Sequence, residues 1–138
     1  MANAKYDNLT TLMTSGWFDW TADPIIALLF AGATFDTTNV VASDIGLPFQ
    51  QAPVGGRSLA ADGSFLGQPV SFNAVDAGVD LQVVLARDEG GNRQSLLAWF
   101  DEDDAGHPFN LVNHGTFILR PPVAADPNPT QSCIWVQF

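Results

Sequence analysis

The stretch that most constrains this chain is residues 80–101. Leu81-Gln82-Val83-Val84-Leu85-Ala86-Arg87 and Gln94-Ser95-Leu96-Leu97-Ala98-Trp99-Phe100 are apolar runs of strand length. Between them lies the polar turn Asp88-Glu89-Gly90-Gly91-Asn92-Arg93. Two such runs around paired glycines predict a β-hairpin with a loop of several residues. Neither run alternates cleanly between apolar and polar side chains. Near-continuous apolar strands suit a sheet covered on both faces, by a second sheet or by a partner molecule. A buried helix is the competing reading, and the glycine pair and short runs argue against it.

The other segments extend the β pattern. Ile25-Ile26-Ala27-Leu28-Leu29-Phe30 reads as a buried strand that starts after Pro24, where a proline removes no central ladder bond. Residues 33–56 read as loop, with Gln51-Ala52-Pro53 as turn material and a short strand or helical turn at 40–45. A short strand is expected at 57–60, then a turn at Asp62-Gly63. Residues 65–75 read as one strand with Val70, Phe72 and Ala74 on one face, its first half kept to an edge or bulge by Gly67 and Pro69. A turn at Asp76-Ala77-Gly78 leads into the hairpin. Residues 109–115 read as loop, 116–120 as a strand ended by Pro121-Pro122, and 132–138 as a final strand. Seven or eight short strands with regular turns argue an all-β, antiparallel sandwich, with a jelly roll as the finer expectation.

Ahead of the strands, Tyr6, Leu9, Leu12 and Met13 recur at helical spacing, and Gly16 stops the stripe. This arm either docks on the core or grips a neighbouring subunit. Trp17-Phe18-Asp19-Trp20 follows. Three large aromatics in four residues anchor either a core or an interface. The expected organisation is therefore an arm or short helix with its aromatic anchor at 1–20 and a sandwich at 21–138. The candidate interface or core anchors are Tyr6, Leu9, Trp17, Phe18, Trp20, Ile134, Trp135, Val136 and Phe138. The last strand needs a partner, within the domain or across to another chain.

Composition bears on what such a sandwich does. Only 14% of the residues are charged, against 46% apolar, and the formal charge is −10. So little polar surface predicts that some apolar area is covered by a partner or by further copies of the chain. The acidity argues against nucleic-acid binding. No apolar run approaches the ~18–20 residues that span a bilayer. The first six residues lack the basic and apolar regions of a signal peptide, which predicts residence in the cytoplasm or in something assembled there. The single cysteine, Cys133, excludes an internal disulfide and reads as a buried thiol.

Signals for chemistry are weak. Asp101-Glu102-Asp103-Asp104 is the best metal candidate, yet it lacks the spaced ligands of a calcium loop and reads as a solvated acidic turn. His107 and His114 have no zinc-site spacing. No nucleophile elbow or phosphate loop occurs. The expectation is a non-enzymatic protein with no cofactor and no metal.

The order of motifs resembles a class of small virion structural proteins encoded near the major capsid gene of tailed bacteriophages. The resemblance rests on Tyr6-Asp7, Leu12, Gly16-Trp17-Phe18-Asp19-Trp20 and Asp23-Pro24-Ile25-Ile26-Ala27-Leu28-Leu29. It continues through Ser71-Phe72-Asn73-Ala74-Val75, Val83-Val84-Leu85-Ala86-Arg87-Asp88-Glu89-Gly90-Gly91 and Ser95-Leu96-Leu97-Ala98-Trp99-Phe100-Asp101. Gly106-His107-Pro108 and Gly115-Thr116-Phe117 complete it. It implies a capsid decoration or cement protein on the outer surface of the virion, assembled in the host cytoplasm. Such a protein binds the major capsid protein, associates with itself as a dimer or trimer, and bridges neighbouring capsid subunits. The prolines after Arg120 and the 124–130 linker depart from the usual end of that class. Two alternatives stand beside it: a tail or head–tail joining protein, and a receptor module with a carbohydrate site built on Trp17, Trp20 and Trp99. A metal-dependent jelly-roll enzyme is poorly served by two loop histidines.

Overall fold

A computed structural model of the chain describes residues 3–75, 80–91, 93–102, 106–110, 115–120 and 133–137. The strands run Ala4–Lys5 (β1), Ile25–Ala31 (β2), Gln50–Pro53 (β3), Ser58–Leu59 (β4), Phe65–Gly67 (β5) and Val70–Val75 (β6). They continue with Asp80–Asp88 (β7), Gln94–Phe100 (β8), Phe109–Asn110 (β9), Gly115–Leu119 (β10) and Cys133–Val136 (β11). One helix, Asp7–Ser15 (α1), and a single 3-10 turn, Ala42–Asp44, complete the described elements.

The hairpin predicted at 80–101 is the middle of the molecule. β7 pairs antiparallel with β8 on one side and with β2 on the other. The larger sheet has the order β1-β8-β7-β2-β3, and β9 adds to the start of β7. Gly90 and Gly91 both take positive φ in the turn, the conformation that glycine adopts without a Cβ penalty.

The central strands are apolar throughout because both faces of this sheet are covered. Ile25, Ala27 and Leu29 of β2 and Leu81, Val83 and Leu85 of β7 point into the main core. Their alternates Leu28, Phe30, Val84 and Ala86 point the other way, into a second core. β8 breaks the alternation with a bulge. Its register jumps from Ala98 opposite Leu85 to Leu96 opposite Ala86, which leaves Leu97 as an extra residue. Leu97 and Ala98 therefore both face the main core, while Leu96 and Trp99 face the second.

The main core is closed by two small sheets, β10-β6 and β11-β5-β4, so the fold is an antiparallel, sandwich-like all-β domain. Its finer identity as a jelly roll rests on the sequence pattern alone. The second core is closed by the chain itself. Tyr6 lies against it with Ala42, and Ala33, Phe35 and Ile45 pack on its rim. Residues 33–45 thus form a strap. Asp7 N donates to Thr37 O at 3.1 Å, Leu96 N to Val40 O at 2.9 Å, and Ala33 N to the buried Gln82 Oε1 at 2.9 Å. The cover that the apolar runs demand is in this chain, not in a partner.

Four local expectations are corrected. Gln50–Pro53 is a strand rather than turn material, paired with β2 at the sheet edge, where polar side chains and a proline are tolerated. Phe109–Asn110 is a strand rather than loop. Residues 65–75 form two strands in different sheets, parted at Gln68 and Pro69. Within its sheet β5 is the middle strand rather than an edge, and the bulge half of that expectation appears in its pairing with β11, whose register shifts between Ile134 and Val136; Gly67 leaves room for the Trp135 ring. The turn at 76–78, Pro121-Pro122 and the 124–130 linker lie outside the described residues.

Candidate functional site

The N-terminal arm docks on its own domain. β1 pairs with β8, and Tyr6 and Leu9 are buried. Gly16 ends α1 in the left-handed conformation and donates to Met13 O. The chain then enters the aromatic loop at 17–20, where Asp19 sets the geometry. Its Oδ1 accepts from Thr21 N at 3.0 Å, Thr21 Oγ1 at 2.8 Å and Ala22 N at 3.2 Å. Its backbone N donates to Asp23 Oδ2 at 2.9 Å. These donors, the Thr21 hydroxyl foremost, hold the Asp19 carboxyl below the usual carboxylate range.

This turn sends neighbouring aromatics in opposite directions. Trp20 goes inward, 2% exposed, stacked on Phe65 at 4.9 Å, with Nε1 donating to Leu66 O at 2.8 Å. Trp17 goes outward and is 81% exposed. Phe18 lies between, half-buried against Phe65 on one side, with the Arg87 guanidinium 5.9 Å from its ring centre.

Arg87 pins the loop from below. Its Nη1 donates to Trp17 O and approaches Asp23 Oδ2 at 3.3 Å, and its Nη2 pairs with Glu89 Oε1 at 2.7 Å. Arg93 Nε meets the other Glu89 oxygen at 2.7 Å. Burial works against the Arg87 charge, but the hydrogen bonds to Glu89 and Asp23 outweigh it and raise its pKa. Trp17 is therefore an exposed indole on a fixed backbone. Met13 and Leu59, both exposed, stand with it around a groove of about 640 Å³ whose floor is Phe18, Trp20 and Phe65. An exposed aromatic whose backbone is already ordered loses little entropy on contact, which is the property of an interface anchor.

The other sequence candidates resolve to the core. Tyr6, Leu9, Trp20, Trp135 and Val136 are buried within the chain, and Ile134 is half-buried. β11 pairs with β5, so the final strand finds its partner inside the domain. Trp135 meets Phe100 edge-on at 5.6 Å. Phe138 lies outside the described residues. Cys133 is buried. The carbohydrate platform of Trp17, Trp20 and Trp99 does not form, because Trp20 and Trp99 are both inside and only Trp17 reaches solvent.

Sequence reasoning missed Leu59 as Trp17's neighbour, and it missed a second apolar patch. Leu47 is 95% exposed and Phe49 is half-exposed, on the segment leading into β3. The signal for the second patch was an apolar residue flanked by turn formers, Gly46 and Pro48 around Leu47, but such a residue does not reveal its direction.

Of the metal candidates, Asp103, Asp104 and His114 lie outside the described residues, and His107 is exposed. Among the described residues no three His, Cys, Asp or Glu side chains gather as ligands. No described helix is long and apolar enough to cross a membrane. Comparison with protein-family models, curated proteins and solved structures finds no match.

Proposed function

We propose that this chain is a structural virion protein of the decoration or cement type, which docks through the Trp17 patch on the major capsid protein of a tailed phage and bridges neighbouring subunits. The observation that carries the reading is an 81% exposed tryptophan held on a hydrogen-bonded loop beside Met13 and Leu59. A soluble domain gains nothing for its own stability from such a side chain, whereas a binding partner gains an anchor. The motif resemblance along the chain supplies the identity of the partner. In this reading the protein sits on the outer surface of the shell, associates with itself as dimers or trimers, and does no chemistry.

The energetics suit a repeated, modest contact. At about 25 cal/mol per Å², an interface of roughly 1,500 Å² represents tens of kcal/mol gross and far less net after association costs. Many copies on a symmetric lattice then reinforce one another.

The test is cosedimentation with shells assembled from the cognate major capsid protein. The expected outcome is saturation at hundreds of copies per shell, with affinity falling about thirtyfold or more on Trp17→Ala, as for an interface hot spot. Saturation at only a few copies would mark a head–tail joint instead. No binding by the folded protein would reject the shell as its partner.

A further inference from the structure

Resting on that reading of the Trp17 groove, we infer that the partner presents a segment in which an arginine flanked by apolar residues enters it. The guanidinium stacks on the Trp17 indole and meets Asp19 Oδ2.

Three features converge on this occupant. The first is charge. Asp19 is the sole charged residue among the described residues lining the groove, and the chain as a whole carries −10. Nearby Arg87 is committed to Asp23, Glu89 and Trp17 O, and Arg57, whose Nη2 donates to Thr21 O at 3.4 Å, acts on Asp19 through its charge without bonding to Oδ2. The second is an unused acceptor. All three hydrogen bonds that the Asp19 carboxylate receives fall on Oδ1, so Oδ2 accepts none among the described residues. Those bonds also keep the carboxylate ionised and its orientation fixed. The third is the indole face. A planar guanidinium is the cation best suited to lie on an exposed tryptophan while it donates to a carboxylate. The underside of the same loop already shows the arrangement once, with the Arg87 guanidinium over Phe18 and beside Asp23.

The apolar flanks follow from the rest of the lining. Met13, Leu59 and Phe65 offer no hydrogen bonds from their side chains, so the residues beside the arginine are apolar ones. In this groove a second copy of the chain is the poorer occupant, because the Asp19 carboxylate calls for a cation and the chain has only 5 basic residues against 15 acidic ones.

The probe is a blocked Gly-Leu-Arg-Leu-Gly peptide, titrated into the full 15N-labelled chain and compared with its citrulline analogue, which keeps the shape and loses the charge. The expected result is chemical-shift change at the Trp17 indole N–H and the Asp19 amide, with affinity about tenfold higher for arginine, or 1.4 kcal/mol. Asp19→Asn, which keeps the Oδ1 acceptor and hence the turn, should remove that preference. Trp17→Ala should abolish binding of both peptides while leaving the thermal midpoint unchanged. Equal affinity for the two peptides, an undiminished preference in Asp19→Asn, or shifts centred on Leu47 and Phe49 would each overturn the inference. So would shifts at Trp17 that track protein concentration without peptide, which would make a second copy the occupant. Shell binding is read separately. Shell binding lost on Trp17→Ala without any arginine preference leaves the capsid reading standing and this inference overturned. Arginine preference without shell binding does the reverse.

Discussion

Arg87→Met tests whether the Trp17 loop is held from beneath. Methionine keeps an apolar stem of similar length beside Phe18 and removes the guanidinium. Lost with it are the bond to Trp17 O and the pairs with Asp23 at 3.3 Å and Glu89 at 2.7 Å. The side chains of these pairs are between 14% and 27% exposed, between the surface and buried limits. Exposed pairs contribute about 0–1 kcal/mol, and hydrogen bonds to charged groups about 1.5–3. A loss of about 2–4 kcal/mol is expected, with Arg93 still holding Glu89. With a urea slope of about 2 kcal/mol per M, the midpoint should fall by about 1–2 M. The pH dependence has a defined sign. Burial pushes the Glu89 carboxyl up, but hydrogen bonds from Arg87, Ser95 and Arg93 outweigh it and leave the pKa below 4.5. A carboxyl lowered on folding stabilises fully above its unfolded value and loses that contribution as pH falls through the folded one. The gap between wild type and variant should therefore be full at pH 7 and narrow below about pH 4. Circular dichroism through urea titrations at pH 7 and pH 3 reads it, and the Trp17 amide heteronuclear NOE reads loop order. Equal midpoints at pH 7, or a gap of the same size at both pH values, would refute the electrostatic account.

Three further outcomes follow from the packing. Trp20→Ala should destabilise by about 3–5 kcal/mol and Trp17→Ala by less than about 0.5, although the two lie three residues apart; thermal unfolding compares them directly. Gly67→Ala should cost about 1–3 kcal/mol, because a Cβ there would stand 2.9 Å from Val54 Cγ1 and 3.1 Å from the Trp135 ring; the urea midpoint reads this. Tyr6→Phe should be neutral to about 1 kcal/mol stabilising at pH 7, since the buried Tyr6 hydroxyl has no hydrogen-bond partner among the described residues. Burial foremost, then the Asp36 charge, raises the Tyr6 pKa above its ordinary value of 10.0. Wild type should thus lose stability as pH rises past about 10 and the Phe variant should resist, which alkaline denaturation followed by circular dichroism checks.

The strands that carry the fold were legible because their signal is local. Apolar runs at 25–30, 81–87 and 94–100 are too short for helices and too apolar for a one-sided sheet, and each lies in a two-sided one. Gln50–Pro53 and Phe109–Asn110 were illegible because they are strands by pairing alone, templated by β2 and β7. The site was half legible. The aromatic cluster at 17–20 is visible in the sequence, but which indole faces water depends on how Asp19 spends its oxygens and on Arg87, seventy positions away. Leu59 joins Trp17 only through the β4–β5 hairpin, a tertiary fact with no trace in local pattern.

Sparse charge and abundant aromatics predict apolar surface in need of cover, and most of that surface is covered from within. The strap at 33–45 and Tyr6 bury the second face of the central sheet, which in a simple two-layer sandwich would be polar. A chain with two cores on one sheet is expected to be apolar without having any sticky face. Among the described residues, the large apolar side chains that remain outside are few: Trp17 with Met13 and Leu59, Leu47 and Phe49, and Val40 and Ile118. Patches of that size anchor a contact and do not form an obligate interface. Firm attachment through them must then come from repetition across many sites, which is the circumstance a lattice provides.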